Sequence, residues 1–107
     1  MKLSKDHRID LTIGKETVTF ILRKPSNKEL NDFLADRYDT TRRGRLKDRS
    51  VAARADFFDM LLTGVENLVD DDDNPITPAA AEKIPLNWKS SIIFSEFEDV
   101  EIDEKNL

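Results

Sequence analysis

Residues 8–22 have the sequence RIDLTIGKETVTFIL, and their pattern decides the fold class. Apolar and polar side chains alternate on both sides of Gly14-Lys15, as is typical of two half-buried strands joined by a tight turn. Gly at the first turn position supplies the positive φ that such a turn requires. The turn aligns four apolar side chains on one face, Ile9 opposite Phe20 and Leu11 opposite Val18. Because an isolated hairpin is marginal in water, Arg8–Leu22 is predicted to be an antiparallel hairpin whose apolar face packs on helices or on strands of another copy.

A capping box predicts the first helix after the hairpin. Pro25 ends the strand, and in Ser26-Asn27-Lys28-Glu29 the serine caps the helix while Glu29 bonds back to the cap. The apolar residues of this helix fall on one stripe, formed by Leu30, Phe33, Leu34 and Tyr38. Residues 40–49 have only Leu46 as an apolar anchor, which leaves open whether they form a loop or an exposed helical extension.

The second predicted helix, Val51–Leu68, is expected to form the centre of the core. Apolar residues recur at intervals of three or four along it and just beyond it: Val51, Ala55, Phe58, Leu62, Val65 and Val69. We therefore expect Phe58 to be buried. Gly64 lies inside this pattern and costs about 1 kcal/mol relative to Ala in a helix, which indicates either a close helix contact or an early end of the helix.

The C-terminal part contains an acidic turn, a short helical segment and a final helix. Asp70–Pro75 ends the preceding helix, and Thr77-Pro78 favours a new helical turn because Pro fits the first helical position. The final helix is predicted from about Leu86 to about Glu98 and presents Trp88, Ile92, Ile93 and Phe97. The sequence thus predicts one α+β domain over residues 1–98, with the N-terminal hairpin packed on a small bundle of three to four helices. Residues 99–107 are predicted to be an acidic, frayed tail.

The composition excludes several classes of protein. The chain has 107 residues, of which 36% are charged and none is Cys. There is accordingly no disulfide framework, no Cys-based zinc site and no thiol nucleophile. No apolar stretch approaches the roughly 18 residues that a membrane span needs. We expect a soluble protein of the cytoplasm.

Charge is divided unevenly along the chain. Residues 37–54 carry a net charge of +5, whereas residues 66–107 carry −9. This dipole predicts self-association, partly through contact between the basic segment 37–54 and the acidic residues 70–73, which salt would weaken. Three interpretations of the basic segment remain open: a nucleic-acid site that lacks supporting aromatic residues, a protein-binding site, or a solvated or internally paired segment.

No catalytic or metal site is predicted. Residues Asp70–Asn74 resemble the start of a calcium loop, but Pro75 occupies the position where that loop needs Gly. The pattern favours a solvated turn whose side chains bond to nearby backbone N–H groups. His7 is the one imidazole, and no nucleophile, acid/base pair or Gly-rich phosphate loop has a recognisable spacing. We therefore expect a protein that is not an enzyme and needs no cofactor.

Four features appear in a specific order along residues 8–98. A strand pair ends in the segment TFILRKPSNKEL, residues 19–30, and a later helix ends in FDMLLTGVENL, residues 58–68. The acidic turn DDDDNPIT, residues 70–77, follows, and then a short helical segment, Ile84-Pro85 and a final helix with Trp88. In this order of features the chain resembles the tail-assembly chaperones of long-tailed bacteriophages and their prophages.

The resemblance implies a small, non-catalytic α+β protein of the bacterial host cytoplasm. Such a protein would bind the phage tape-measure protein, keep that long helical chain soluble and help to recruit the tail-tube subunit. We expect apolar helical surface to contact this client and four basic residues to steer an acidic part of it: Arg42, Arg43, Arg45 and Lys47. The alternatives are a small structural head–tail connector or tail-completion protein, or a nucleic-acid-binding regulator that uses residues 37–54.

Overall fold

The computed structural model of the chain describes residues 6–40 and 46–98. The strands of these residues are β1 Asp6–Ile13, β2 Glu16–Arg23, β3 Tyr38–Thr40, β4 Leu46–Asp48 and β5 Leu62–Glu66. The α-helices are α1 Asn27–Asp36, α2 Ser50–Leu61 and α3 Leu86–Ile93. A 3₁₀ helix, Pro78–Lys83, precedes α3, and a π-helical turn, Phe94–Glu98, follows it. The predicted α+β class, with an N-terminal antiparallel hairpin followed by helices, is confirmed. The predicted tail, residues 99–107, lies outside the described residues.

The N-terminal hairpin has the predicted turn and register. Ile9 lies opposite Phe20 and Leu11 opposite Val18, and Gly14 at the first turn position has a φ of 64°. Val18 and Phe20 are buried, whereas Ile9 and Leu11 on the outer strand are half-buried. The apolar face of the hairpin therefore packs into the core most completely at β2.

The predicted helix Val51–Leu68 is wrong in its second half. Helix α2 ends at Leu61, and the chain continues as β5, which pairs antiparallel with β2 in a sheet of order β1-β2-β5. Because Phe20 and its neighbours in β2 are buried, the backbone groups of that strand need hydrogen-bonding partners on both sides. Pairing with β5 supplies them, which outweighs the helical spacing of the apolar residues. Gly64 therefore marks an early end of the helix, one of its two predicted meanings.

Residues 38–48 also differ from the prediction. Helix α1 begins at the predicted capping box, with Ser26 and Glu29 bonding reciprocally, but it ends at Asp36. Tyr38 is 46% exposed and belongs to β3, which pairs with β4 in a separate two-stranded ribbon. Where the structure describes the segment 40–49, its residues belong mainly to strands β3 and β4, and not to the predicted loop or helical extension. The N–H of Arg49 donates to the carbonyl oxygen of Arg37 at 2.7 Å, which closes the ribbon beside α2.

The core lies between the inner face of the three-stranded sheet and helices α2 and α3. Its fully buried side chains are Phe20, Leu22, Phe58, Leu61 and Ile93. The burial of Phe58 is confirmed, and its ring meets that of Phe20 edge-on with 5.5 Å between centroids. Lys89 of α3 is also buried, and its Nζ lies 2.7 Å from Oδ1 of Asp59 on α2, so an ion pair joins the two helices.

Candidate partner-binding surfaces

Two residues of the basic segment are paired internally rather than presented to solvent. Arg37 follows α1 and Arg54 lies on α2, and both donate to the carboxylate of Glu98 at the C-terminal end of the π-helical turn. The shortest distances are 2.9 Å from Arg37 Nη1 and 2.6 Å from Arg54 Nε. The side chain of Glu98 is only 4% exposed. This pairing holds the end of the described chain against α1 and α2.

The two guanidinium groups control the ionisation of Glu98. Burial by itself raises the pKa of Glu98, but hydrogen bonds from Arg54 and Arg37 outweigh it, and the pKa lies below its usual value. The same pairing with Glu98 raises the pKa of Arg54. Arg54 also lies over the ring of Phe94, with 5.1 Å between its guanidinium carbon and the ring centroid. Arg37 and Arg54 are therefore structural cations, in agreement with the internally paired interpretation for these two residues.

Of the four basic residues that are predicted to bind a partner, the structure describes one. Lys47 is exposed on β4, opposite Asp39 of β3. Arg42, Arg43 and Arg45 lie outside the described residues. The predicted partner-binding role of these four residues thus stays a prediction, and the structure describes the position of Lys47 alone among them.

A groove between α1 and α2 is a concave surface that sequence reasoning missed. Its volume is about 310 Å³. The floor is apolar and consists of Phe33, Ala53, Phe57 and Met60. The rings of Phe33 and Phe57 are stacked with centroids 4.3 Å apart, which joins the two helices beneath the groove. Met60 is 46% exposed, so part of this apolar floor faces solvent.

Carboxylates line the rim of this groove. Four of its residues are acidic, namely Glu29, Asp32, Asp36 and Asp56, against one basic residue, Arg49. Glu29 is bound to Arg23, and Asp32 to Lys28. Asp36 and Asp56 have no ion pair among the described residues. The groove therefore combines an apolar floor with an acidic rim, which suits a basic amphipathic segment.

One sequence signal points to this rim. Glu29, Asp32 and Asp36 have spacings of three and four, so they share a face of α1. That pattern alone predicts only a solvated acidic stripe. The groove exists because α2 packs beside this stripe, and the position of Asp56 and Met60 relative to α1 is a tertiary property.

The acidic turn after β5 satisfies its own backbone. Asp70 Oδ1 accepts hydrogen bonds from the N–H groups of Asp72 and Asn74 at 2.9 and 3.0 Å, and Asp70 Oδ2 lies 3.2 Å from Nζ of Lys83. The backbone hydrogen bond from Asn74 is the largest of the interactions that lower the pKa of Asp70. This is the solvated turn that the sequence favours. Within the residues that the structure describes, no group of three or more His, Asp or Glu side chains is placed to hold a metal ion.

The single histidine has a structural contact. His7 Nδ1 lies 3.3 Å from Oε2 of Glu96, and the His7 ring lies 5.2 Å from that of Phe97. These contacts join β1 to the π-helical turn.

Comparison with known proteins adds no relative. No protein-family model, curated protein or solved structure matches the chain. In the described part of the chain, no helix has both the length and the apolar character that crossing a membrane requires. A functional proposal therefore depends on the surfaces described above and on the resemblance in the sequence.

Proposed function

We propose that this protein is a non-enzymatic tail-assembly chaperone of a long-tailed phage or prophage, which acts in the bacterial cytoplasm. Its client is the tape-measure protein, and a helical segment of that client lies in the groove between α1 and α2. The observation that carries the proposal is the combination of an apolar floor, exposed to solvent at Met60, and an acidic rim in this groove. The resemblance over residues 8–98 supports the identity of the client.

The floor of the groove suits the apolar stripe of a helix. An amphipathic helix binds a groove through side chains at positions i, i+3 or i+4, and i+7. The flexible thioether of Met60 is the exposed part of the floor and adapts to side chains of different shapes, while the buried stacked pair Phe33 and Phe57 holds α1 against α2 beneath it. A chaperone has to bind many related segments of a long helical client, so an adaptable floor fits this function.

The rim determines which segments are favoured. Carboxylates around the apolar floor attract segments whose apolar stripe is flanked by Lys or Arg, and they disfavour acidic segments. Asp36 and Asp56 contribute most to this preference because neither forms an ion pair with a basic side chain of the described residues. Residues Arg42, Arg43, Arg45 and Lys47 remain the predicted site for an acidic stretch of the same client.

Co-expression with the tape-measure protein of the same phage tests the proposal. We expect the tape-measure protein to stay soluble and to co-purify with this chain. Met60→Ser in the groove is expected to lower the co-purified amount. Val69→Ser is the matched control, because Val69 is similarly exposed, at 51%, but lies outside the groove.

Two double variants, each of which removes two negative charges, test the acidic rim of the groove. The double variant Asp36→Asn and Asp56→Asn removes two negative charges from the groove and is expected to slow association. Asp71→Asn with Asp72→Asn removes the same charge from the exposed acidic turn and should leave association unchanged.

Three results would contradict the proposal. The first is a tape-measure protein that neither gains solubility nor co-purifies. The second is micromolar, salt-sensitive binding to DNA or RNA in place of the client, which would support the nucleic-acid-binding regulator. The third is the presence of the protein in purified virions, which would support a structural connector or tail-completion protein.

A further inference from the structure

The outer edge of β1 is available as a pairing surface in the described part of the chain. Strand β1 has eight residues, and no strand of the described chain pairs with its outer side. Because Gly14-Lys15 is a two-residue turn, Ile13 and Glu16 form a hydrogen-bonded pair across it. Alternation along the ladder then directs the backbone groups of even-numbered residues outward. The edge thus presents the N–H and C=O groups of Arg8, Asp10 and Thr12.

The apolar cover of the sheet also stops short of this edge. Val18, Phe20 and Leu22 of β2 are buried, whereas Ile9 and Leu11 of β1 are only half-buried. Ile13 at the end of β1 is 44% exposed. The core-facing side of β1 therefore retains apolar surface that a neighbouring strand would cover.

We propose that β1 pairs antiparallel with β1 of a second copy of this chain, about a two-fold axis at Ile9. The two three-stranded sheets then form one continuous six-stranded sheet of order β5-β2-β1-β1-β2-β5. This dimer does not depend on the proposed client, because it rests on the edge of the sheet and not on the groove.

Hydrogen-bonding geometry limits the possible registers. Opposite residues of an antiparallel pair lie on the same face, and two outward-directed residues must meet to exchange hydrogen bonds. Even-numbered residues of one copy must therefore oppose even-numbered residues of the other. The two-fold axis then lies midway between the two copies of a single residue, which is called here an axis at that residue. An axis between two residues would place Arg8 opposite Ile9 and match a polar face with an apolar one.

Charge selects one of the remaining registers. An axis at Arg8 places Arg8 against itself, and an axis at Asp10 places Asp10 against itself. An axis at His7 or Leu11 reduces the overlap of the described strands to residues 6–8 or 9–13. An axis at Ile9 keeps residues 6–12 paired and places Arg8 of each copy opposite Asp10 of the other. Opposite charges in cross-strand pairs are stabilising and like charges are destabilising, so the sequence of β1 is complementary to itself in this register.

The side chains have bonding capacity left for these contacts. Arg8 is paired with Glu66 within its own sheet, but its side chain is 59% exposed and a guanidinium has five N–H donors. Asp10 Oδ1 accepts a hydrogen bond from Thr19, which leaves the second carboxylate oxygen for Arg8 of the second copy. On the other face, Ile9 lies against Ile9 of the second copy. The two central Arg8–Asp10 pairs supply about four backbone hydrogen bonds across the axis.

A single-cysteine variant tests the register directly, since the natural chain has no Cys. At the two-fold axis, residue 9 of each copy belongs to a pair without mutual hydrogen bonds, whose Cα atoms are about 4.5 Å apart, within disulfide range. We expect Ile9→Cys to form a cross-linked dimer in a glutathione redox buffer at least about tenfold faster than Leu11→Cys. In this register position 11 of one copy lies opposite position 7 of the other, so two cysteines at position 11 are too far apart to form a disulfide. Ile9→Cys in concentrated urea is the control for random collision.

Charge reversal tests the same contact without cross-linking. In sedimentation experiments over a range of protein concentrations, we expect Arg8→Asp and Asp10→Arg each to raise the dimer dissociation constant by about tenfold. The double variant, in which position 8 is acidic and position 10 basic, should restore the dimer. Circular dichroism of each variant verifies the fold, and if a single variant unfolds, the cross-linking rates decide.

Several outcomes would overturn the proposal. They are a monomer at every concentration and salt condition, equal cross-linking of Ile9→Cys and Leu11→Cys, or a double variant that dissociates as readily as the singles. A dimer that high salt abolishes and that ignores all of these substitutions would instead support the predicted contact between segment 37–54 and residues 70–73.

Discussion

Gly64 lies directly opposite Ile21 in the sheet, and a Cβ at position 64 would stand 3.1 Å from Cδ1 of Ile21. The missing side chain therefore gives Ile21 room on the outer face of the sheet. On the neighbouring position, Val65 lies opposite Phe20 and packs against the core. Gly64, which interrupts a helical pattern in the sequence, thus allows the side chain of Ile21 to pack closely over β5.

The first prediction concerns this contact. Gly64→Val adds a Cβ and two methyl groups at a position where the Cβ alone would lie 3.1 Å from Cδ1 of Ile21, so it should lower the free energy of unfolding. Ile21→Ala in the same chain opens that space, and the double variant should be more stable than the sum of the single effects by about 1 kcal/mol. Urea titrations of the four proteins measure this coupling. Strictly additive effects would contradict the pairing of β5 with β2.

The second prediction concerns the core. Phe58 is fully buried against Phe20, and Phe58→Ala should lower the free energy of unfolding by about 3–5 kcal/mol, because it removes apolar contacts and leaves a cavity. Val51→Ala on the same helix is the control. Val51 is 47% exposed, and its replacement should change stability by less than about 0.5 kcal/mol. A loss below 1 kcal/mol for Phe58→Ala in a denaturant titration would show that the core is elsewhere.

The third prediction concerns acid stability. The pKa of Glu29 is lowered from 4.5 to about 2, chiefly by its hydrogen bonds with Arg23 and also by the backbone N–H of Ser26. Since folding favours the ionised form, this carboxylate stabilises the fold fully above pH 4.5, and its contribution disappears as the pH falls towards 2. Glu29→Gln should therefore lower the urea midpoint at pH 7, and the difference from the natural protein should shrink between pH 4.5 and 2.5.

A neighbouring carboxylate provides the control for this prediction. Asp32 forms an exposed pair with Lys28 one turn apart on α1, a type of pair that contributes little to stability. Asp32→Asn should thus change the midpoint only slightly at pH 7. A Glu29→Gln effect that stayed constant from pH 7 to pH 2.5 would contradict the role of its charge.

The fourth prediction concerns the buried carboxylate at the end of the described chain. Glu98→Gln would leave Arg37 and Arg54 facing a neutral amide, and we expect it to lower the free energy of unfolding by about 2 kcal/mol. Glu96→Gln removes a more exposed carboxylate two residues away and should cost less than about 0.5 kcal/mol. Thermal or urea unfolding of the two variants measures the difference, and equal effects would show that Glu98 does not anchor this end of the chain.

Local sequence determined the elements whose signals lie within a few residues. Alternation around Gly14-Lys15 fixed the hairpin register, and the capping box at Ser26 and Glu29 fixed the start of α1. In each case the deciding hydrogen bonds or turn geometry connect residues close in the chain. The final helical region also spans the predicted range, although its last five residues form a π-helical turn.

Tertiary structure decided the elements whose partners are distant in the chain. Residues 62–66 have a helical apolar spacing, yet they form a strand because β2 needs a second hydrogen-bonding neighbour. Arg37 and Arg54 appear in the sequence as part of a basic segment. In the structure, however, both guanidinium groups donate hydrogen bonds to the carboxylate of Glu98, which lies more than 40 positions after Arg54. The groove likewise requires α1 beside α2. Periodicity describes which face of an element is apolar, but only packing in three dimensions determines which backbone groups and charges find a partner.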